Sequence, residues 1–149
     1  QLELNLDPAL RERHYGVMQG LSHQEIADHH PENHQAWKKR DIHFQPENGE
    51  SLAQFNDRVV TAIASWAKKY AGQEIAIVAH GGVLDCLNRA ARKVALDVAR
   101  DFEILNASLN TLTYRDEQFA LVHWGDVNHL TESQGQPSKS LDEVDGSPR

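Results

Sequence analysis

The sequence predicts an α/β fold with a mostly parallel sheet and a C-terminal hairpin, and three stretches predict it. Residues 74–79 include Ile75-Ala76-Ile77-Val78-Ala79, apolar at consecutive positions, the pattern of a strand buried on both faces in a parallel sheet. Residues 51–70 carry Leu52, Phe55, Val59, Ile63 and Trp66 at helical spacing, which gives one apolar face to lay against such a sheet. Residues 109–114 and 119–124 are β-like and are separated by Arg115-Asp116-Glu117-Gln118, so they pair as a hairpin.

In chain order, residues 1–13 form a polar, irregular lead-in with a turn at Asp7-Pro8. Ser22-His23-Gln24-Glu25 fits a capping box, in which the serine hydroxyl accepts from the third amide and the glutamate reaches back. It opens a short helix over about 23–30 that stops near Pro31, because proline disfavours helix in the residue before it. Residues 31–50 hold two prolines and Asn48-Gly49 with few apolar anchors, and read as loop with one helical turn around Trp37. Ser51 and Gln54 make a second capping box, opening a helix that runs to about Tyr70 and ends at Gly72. After the strand, His80-Gly81-Gly82 breaks the pattern, and helical spacing returns from Val83 to about Leu96. From Thr131 onward, Ser, Gln, Gly, Pro and acidic residues leave nothing to bury, so residues 131–149 read as a disordered tail behind a domain over 1–130.

Composition bounds the function. A length of 149 residues suits one domain with its own core. The net charge of −7, with Lys and Arg scattered, argues against nucleic acid or an anionic membrane surface as partner. The longest apolar run is far too short to span a bilayer, and no signal peptide is visible. Cys86 is the only cysteine, so no intramolecular disulfide forms and a reducing, cytoplasmic location is the simpler expectation. His30 and His34 would share a helix face, but Pro31 interrupts it and no HExxH-type motif is present, so neither a metal nor a cofactor is expected.

Two motifs carry chemistry. A strand, His80-Gly81-Gly82 and a helix in succession put a histidine and a helix N-terminus at the carboxyl end of a strand, where α/β proteins gather ligands. Unpaired amides at a helix start favour an anion, and paired glycines let a ligand approach the backbone. The same pattern also serves as a tight turn that happens to hold a histidine. The second motif is Leu10-Arg11-Glu12-Arg13-His14-Tyr15-Gly16, followed by Gln19-Gly20-Leu21. Alone, a carboxylate between two arginines is most often a solvated surface cluster.

Together these motifs resemble the phosphoglycerate-mutase-like histidine phosphatases. The Glu12 stretch is similar to the segment carrying that family's acid glutamate, and Ile75 to His80-Gly81-Gly82 resembles the strand delivering its second active-site histidine. Gly49-Glu50-Ser51, Asn106-Ala107-Ser108 and Asp126 with His129-Leu130 match further landmarks in order. The resemblance implies a three-layer αβα sandwich and a small phosphorylated substrate, and is compatible with a homo-oligomer. It also implies a histidine that attacks the phosphoryl group, with Glu12 as general acid and His80 stabilising charge beside Gly81 and Gly82. Arg13, Arg11 and Asn106 are secondary candidates, the arginines as tuners of Glu12.

The family's nucleophile lies in an Arg-His-Gly motif at the end of a first strand, and a phosphate-binding arginine on a helix after it. Neither has a match here, and Arg13-His14 does not substitute because no buried strand precedes it. The chain begins with Gln1, so the expectation is that the first strand and helix precede it in the gene product. The alternatives are a truncated product and a non-catalytic relative. Glu12 and His80 lie too close in sequence to admit the long insertion of the cofactor-dependent mutases, and Gly82 stands where those mutases usually carry Asn. Phosphomonoester hydrolysis is therefore the first reading and mutase-type phosphoryl transfer the second, with specificity expected from residues 31–50.

Overall fold

The computed structural model describes residues 3–130, so the tail expected to be disordered lies outside the described residues. The lead-in has no regular element up to Asp7, whose backbone is extended and whose Oδ1 accepts from the Ala9 amide at 2.8 Å to start a 3-10 turn at Pro8–Leu10. A second such turn, Gly16–Met18, follows.

Helix α1 spans His23–His29 and begins with the expected capping box. Pro31 ends α1 as expected, but it also opens α2, Pro31–Lys38, where a loop with one turn was expected. The missing proline N–H is no loss at the first position of a helix, and its fixed φ suits that position. Helix α3, Leu52–Lys69, starts at the second capping box and buries Phe55, Val59 and Ile63, one face of its 18 residues. Gly72 takes φ +79 just beyond its end, the left-handed conformation glycine accepts without strain. Helix α4, Gly81–Arg92, begins two residues earlier than the spacing suggested and stops sooner, at Lys93 with φ 58.

Strands β1, Leu109–Arg115, and β2, Gln118–Asp126, form the expected antiparallel hairpin. Asp116 and Glu117 between them sit at φ 49 and 60. Positive φ at both central residues is the mark of the type I′ turn, whose twist matches that of the flanking strands. The core lies where α3, α4 and the hairpin meet. Phe55, Val59 and Ile63 pack with Val83, Cys86 and Leu87, while Leu112 and Phe119 of the hairpin and Leu10 of the lead-in close over them.

The expected mostly parallel sheet, and with it the three-layer sandwich, is not formed among the described residues. The architecture is an α/β sandwich whose helices flank a small two-stranded antiparallel sheet. Residues 74–79 form no regular element and pair with no strand among the described residues. Apolarity on both faces suits a segment to a sheet interior, yet a strand exists only when neighbours supply hydrogen bonds to its edges. Here Ile75, Ile77 and Val78 are exposed, Val78 at 98%. With the lead-in they wall a groove of about 890 Å³ that His80 also lines. No helix among the described residues is long and apolar enough to cross a membrane.

Candidate active site

The two motifs meet at the start of α4. His80 is the N-cap of that helix, with extended backbone (φ −115, ψ 168) and an exposed side chain at the end of the groove. Two residues on, the Gly82 amide donates to Glu12 Oε2 at 2.9 Å, joining positions 70 residues apart. Glu12 Oε1 accepts from the Arg13 amide at 2.7 Å, so both carboxylate oxygens are held. Glycine at 82 is a steric requirement of this contact. A Cβ there would lie 2.2 Å from Glu12 Oε1 and 3.0 Å from Phe55 Cε1. The amide expected to face an anion thus faces a carboxylate of the protein itself, which is the favoured charge at a helix N-terminus.

The Glu12 segment is anchored to the start of α3. Arg13 Nε donates to the Glu50 carbonyl at 3.1 Å, and the His14 amide donates to Glu50 Oε1 at 2.9 Å. The Arg58 guanidinium pairs with the Glu50 carboxylate through both Nε and Nη2. Arg58 Nη1 also donates to the carbonyls of Ala9 and Arg11. Burial pulls the Glu50 carboxyl up, but Arg58, the His14 amide and Arg13 outweigh it and hold the group below the usual glutamate range. Two backbones cross beside this pair. Gly16, at φ +55, has no room for a Cβ, which would lie 2.0 Å from the Glu47 carbonyl oxygen.

Gly82 also lines a cavity of about 70 Å³. Arg13, Tyr15, Trp37, Arg40, Asp85 and Arg100 contribute to its wall. The Arg13 guanidinium stacks 5.2 Å from the Tyr15 ring centre, and its pKa is lowered, chiefly by burial. Asp85 Oδ2 pairs with Arg89 Nε at 2.9 Å and with Arg40 Nη2 at 3.8 Å. Asp85 Oδ1 and Arg89 Nη2 are buried with no hydrogen-bond partner among the described residues.

Of the residues the sequence singled out, the structure brings Glu12, Gly82 and their chain neighbours His80 and Gly81 to one place. Arg13 turns its side chain to Glu50 and the cavity, and Arg11 takes part through its carbonyl. Asn106 lies exposed in the turn before β1. Glu50 and Arg58, which hold the site, and Arg40, Asp85 and Arg100 in the cavity were not singled out. Only Glu50 had a signal, as part of a landmark, because the others are ordinary charged residues on separate segments. No group of three or more His, Cys, Asp or Glu side chains among the described residues is placed to hold a metal.

Comparison with known proteins gives the family. A family model described as the histidine phosphatase superfamily, branch 1, matches residues 1–127. The chain is 40% identical over 136 residues to phosphoglycerate mutase-like protein 4 of Arabidopsis thaliana, covering 89% of this chain and 57% of that protein. It is 37% identical over 126 residues to the metal-independent phosphoserine phosphatase of the same plant, covering 83% of this chain and 51% of that protein. Its fold is similar to that of a mycobacterial glucosyl-3-phosphoglycerate phosphatase solved with VO3, with a TM-score of 0.66 and 27% identity. That match covers 83% of this chain and 64% of the solved one. The chain therefore spans little more than half the length of the relatives it matches.

Proposed function

The chain belongs to the histidine phosphatase superfamily, branch 1, and from that premise we propose that it is part of a phosphatase that hydrolyses a small phosphomonoester through a phosphohistidine. The observation that carries the reading is the 2.9 Å contact between Glu12 and the Gly82 amide, which sets a carboxyl group beside His80 and the start of α4.

In the first step a histidine nitrogen bonds to phosphorus while the ester P–O bond breaks, and Glu12 gives its proton to the departing alcohol oxygen. In the second, water attacks phosphorus, the P–N bond breaks, and Glu12 takes the proton that water gives up. His80 and the α4 N-terminus stabilise the charge on the phosphoryl oxygens. Gly81 leaves the backbone open to them, while the Gly82 amide holds Glu12 in place. Arg13 and Arg11 hold the Glu12 segment through Glu50 and Arg58 rather than binding phosphate, and Asn106 has a peripheral place.

The attacking histidine is assigned to a segment outside the described residues, laid as a strand in the groove between residues 3–6 and 74–79. Two features support that place: the groove is walled by exposed apolar side chains, and His80 lines it. Phosphoryl transfer of the mutase type is the second reading, favoured by the likeness to a phosphoglycerate mutase-like protein.

The test is made on the full-length gene product. It should release phosphate from a phosphomonoester and, when quenched in mid-turnover, carry an acid-labile phosphate on histidine. Glu12→Gln keeps one acceptor oxygen for the Gly82 amide but carries no transferable proton, and should lower kcat by about 10²–10⁴-fold. Interconversion of phosphoglycerates without net phosphate release would favour the mutase reading. No phosphoenzyme and no turnover would leave a binding protein.

A further inference from the structure

Resting on the phosphatase reading, we propose that Arg58, paired with Glu50, is a positioning residue for the acid. It holds the backbone on both sides of Glu12, so that the carboxyl proton meets the departing oxygen.

Glu12 stands on a segment that cannot place itself. Residues 12–15 belong to no helix or strand, so their backbone is held by groups from elsewhere in the chain. One ion pair supplies that hold. Ahead of Glu12, Arg58 Nη1 donates to the carbonyls of Ala9 at 2.8 Å and Arg11 at 3.1 Å. Behind it, Glu50 Oε1 accepts from the His14 amide at 2.9 Å, and the Glu50 amide donates to the His14 carbonyl at 2.9 Å. The fork of Arg58 Nε and Nη2 on the Glu50 carboxylate joins the two holds.

Arg58 also reaches toward the start of α4. Its guanidinium carbon lies 5.1 Å from the centre of the Phe55 ring. Phe55 Cε1 is the ring atom that a Cβ on Gly82 would approach to 3.0 Å. The same side chain thus braces the Glu12 segment and the ring beside the amide that Glu12 accepts from.

The demand on placement is steep. A general acid works within about 2.6–3.2 Å of the oxygen it protonates. A misplacement of about 1 Å costs on the order of 10²-fold in rate. Lysine would keep the charge of Arg58, but a single ammonium cannot reproduce a planar group that serves two carboxylate oxygens and two carbonyls. The clamp depends on guanidinium geometry and not on charge alone.

The test uses the full-length gene product and two esters whose leaving groups differ in their need for a proton. The nitrophenolate of p-nitrophenyl phosphate departs unaided, whereas the alkoxide of β-glycerol phosphate needs the acid. Rates are compared as kcat/KM, which covers cleavage of the ester and excludes the later hydrolysis of a phosphohistidine. Glu12→Gln should lose at least about tenfold more on β-glycerol phosphate than on p-nitrophenyl phosphate. Arg58→Gln and Arg58→Lys should share that selectivity, with losses of about 10–10²-fold on β-glycerol phosphate. Glu50→Gln, which loosens the fork from the other side, should follow them and guards against the loss of one variant. Each variant's fold is checked by its melting transition.

Hydrogen exchange at the Gly82 amide reads the same placement without turnover. This amide lies in the first turn of α4, where the helix has no carbonyl to offer it, so its protection comes from Glu12. It should exchange faster in both Arg58 variants while α3 stays protected. Equal losses on the two esters in folded variants, full recovery by lysine, or unchanged exchange at Gly82 each overturn the clamp. Selectivity in Glu12→Gln then leaves the phosphatase reading standing, and its absence there sinks both. If neither ester is hydrolysed, the phosphatase reading falls and the Gly82 amide decides the clamp alone. Faster exchange in the Arg58 variants upholds it, and unchanged exchange refutes it.

Discussion

At the scale of single residues, the contact between Glu12 and Gly82 separates stability from activity. A methyl group at position 82 would come within 2.2 Å of Glu12 Oε1, the mobile end of a flexible side chain, and within 3.0 Å of one Phe55 ring carbon. The carboxylate can swing away at little cost to the fold, and alanine is the better helix former by about 0.8–1.0 kcal/mol. Gly82→Ala should therefore melt within a few degrees of the parent. Its kcat should nevertheless fall by about 10²–10⁴-fold, the range for a lost general acid. A folded variant that turns over within about twofold of the parent would show that the acid does not act from this position. Glu12 and His80 stand out as candidates in the sequence because each sits in a short run of specific neighbours. Arg40, Asp85 and Arg100 were not, since three ordinary charged residues on different segments acquire meaning only when the fold surrounds one cavity with them.

Among elements, α3 links the core to the site. Its first turn is fixed by Ser51, whose Oγ accepts from the Gln54 amide at 3.1 Å, while Gln54 Oε1 accepts from the Ser51 amide at 2.8 Å. Glu50, the residue before this cap, grips Arg13, His14 and Arg58. Ser51 is buried, so Ser51→Ala leaves the Gln54 amide without water to replace the lost acceptor. The expected cost is about 1–2 kcal/mol in urea unfolding, the upper part of the range for a lost N-cap. The same change at exposed Ser22 should cost less, and equal costs would show that burial does not set the difference. Capping boxes and the spacing of Phe55, Val59 and Ile63 are local chemistry, which is why α1, α3 and the hairpin were readable in advance. Helix α2 was underestimated because Pro31 reads as a stop for the chain before it, and equally serves as a start for the chain after it. The strand expected over residues 74–79 is not formed among the described residues, because a ladder belongs to two segments and composition describes only one.

For the molecule as a whole, the groove between residues 3–6 and 74–79 decides whether the proposed enzyme is assembled. Leu4, Leu6 and Val78 are exposed at 84%, 86% and 98%, and the stretch after Glu74 pairs with no strand among the described residues. Backbone amides without partners exchange with solvent at close to unstructured rates, whereas amides inside a sheet exchange only when the structure opens. Residues 1–149 expressed alone should thus show rapid hydrogen exchange at Ile75–Ala79 but protected amides in α3 and α4, which hold the core. In the full-length gene product the same five amides should be protected by a docked strand, and turnover should appear with that protection. Val78→Asp should then remain tolerable in the isolated chain, where the side chain meets water, and should abolish both protection and turnover in the full product. If Ile75–Ala79 are already protected in the isolated chain, the edge is closed by other means and the groove is not the place where a nucleophile-bearing strand binds.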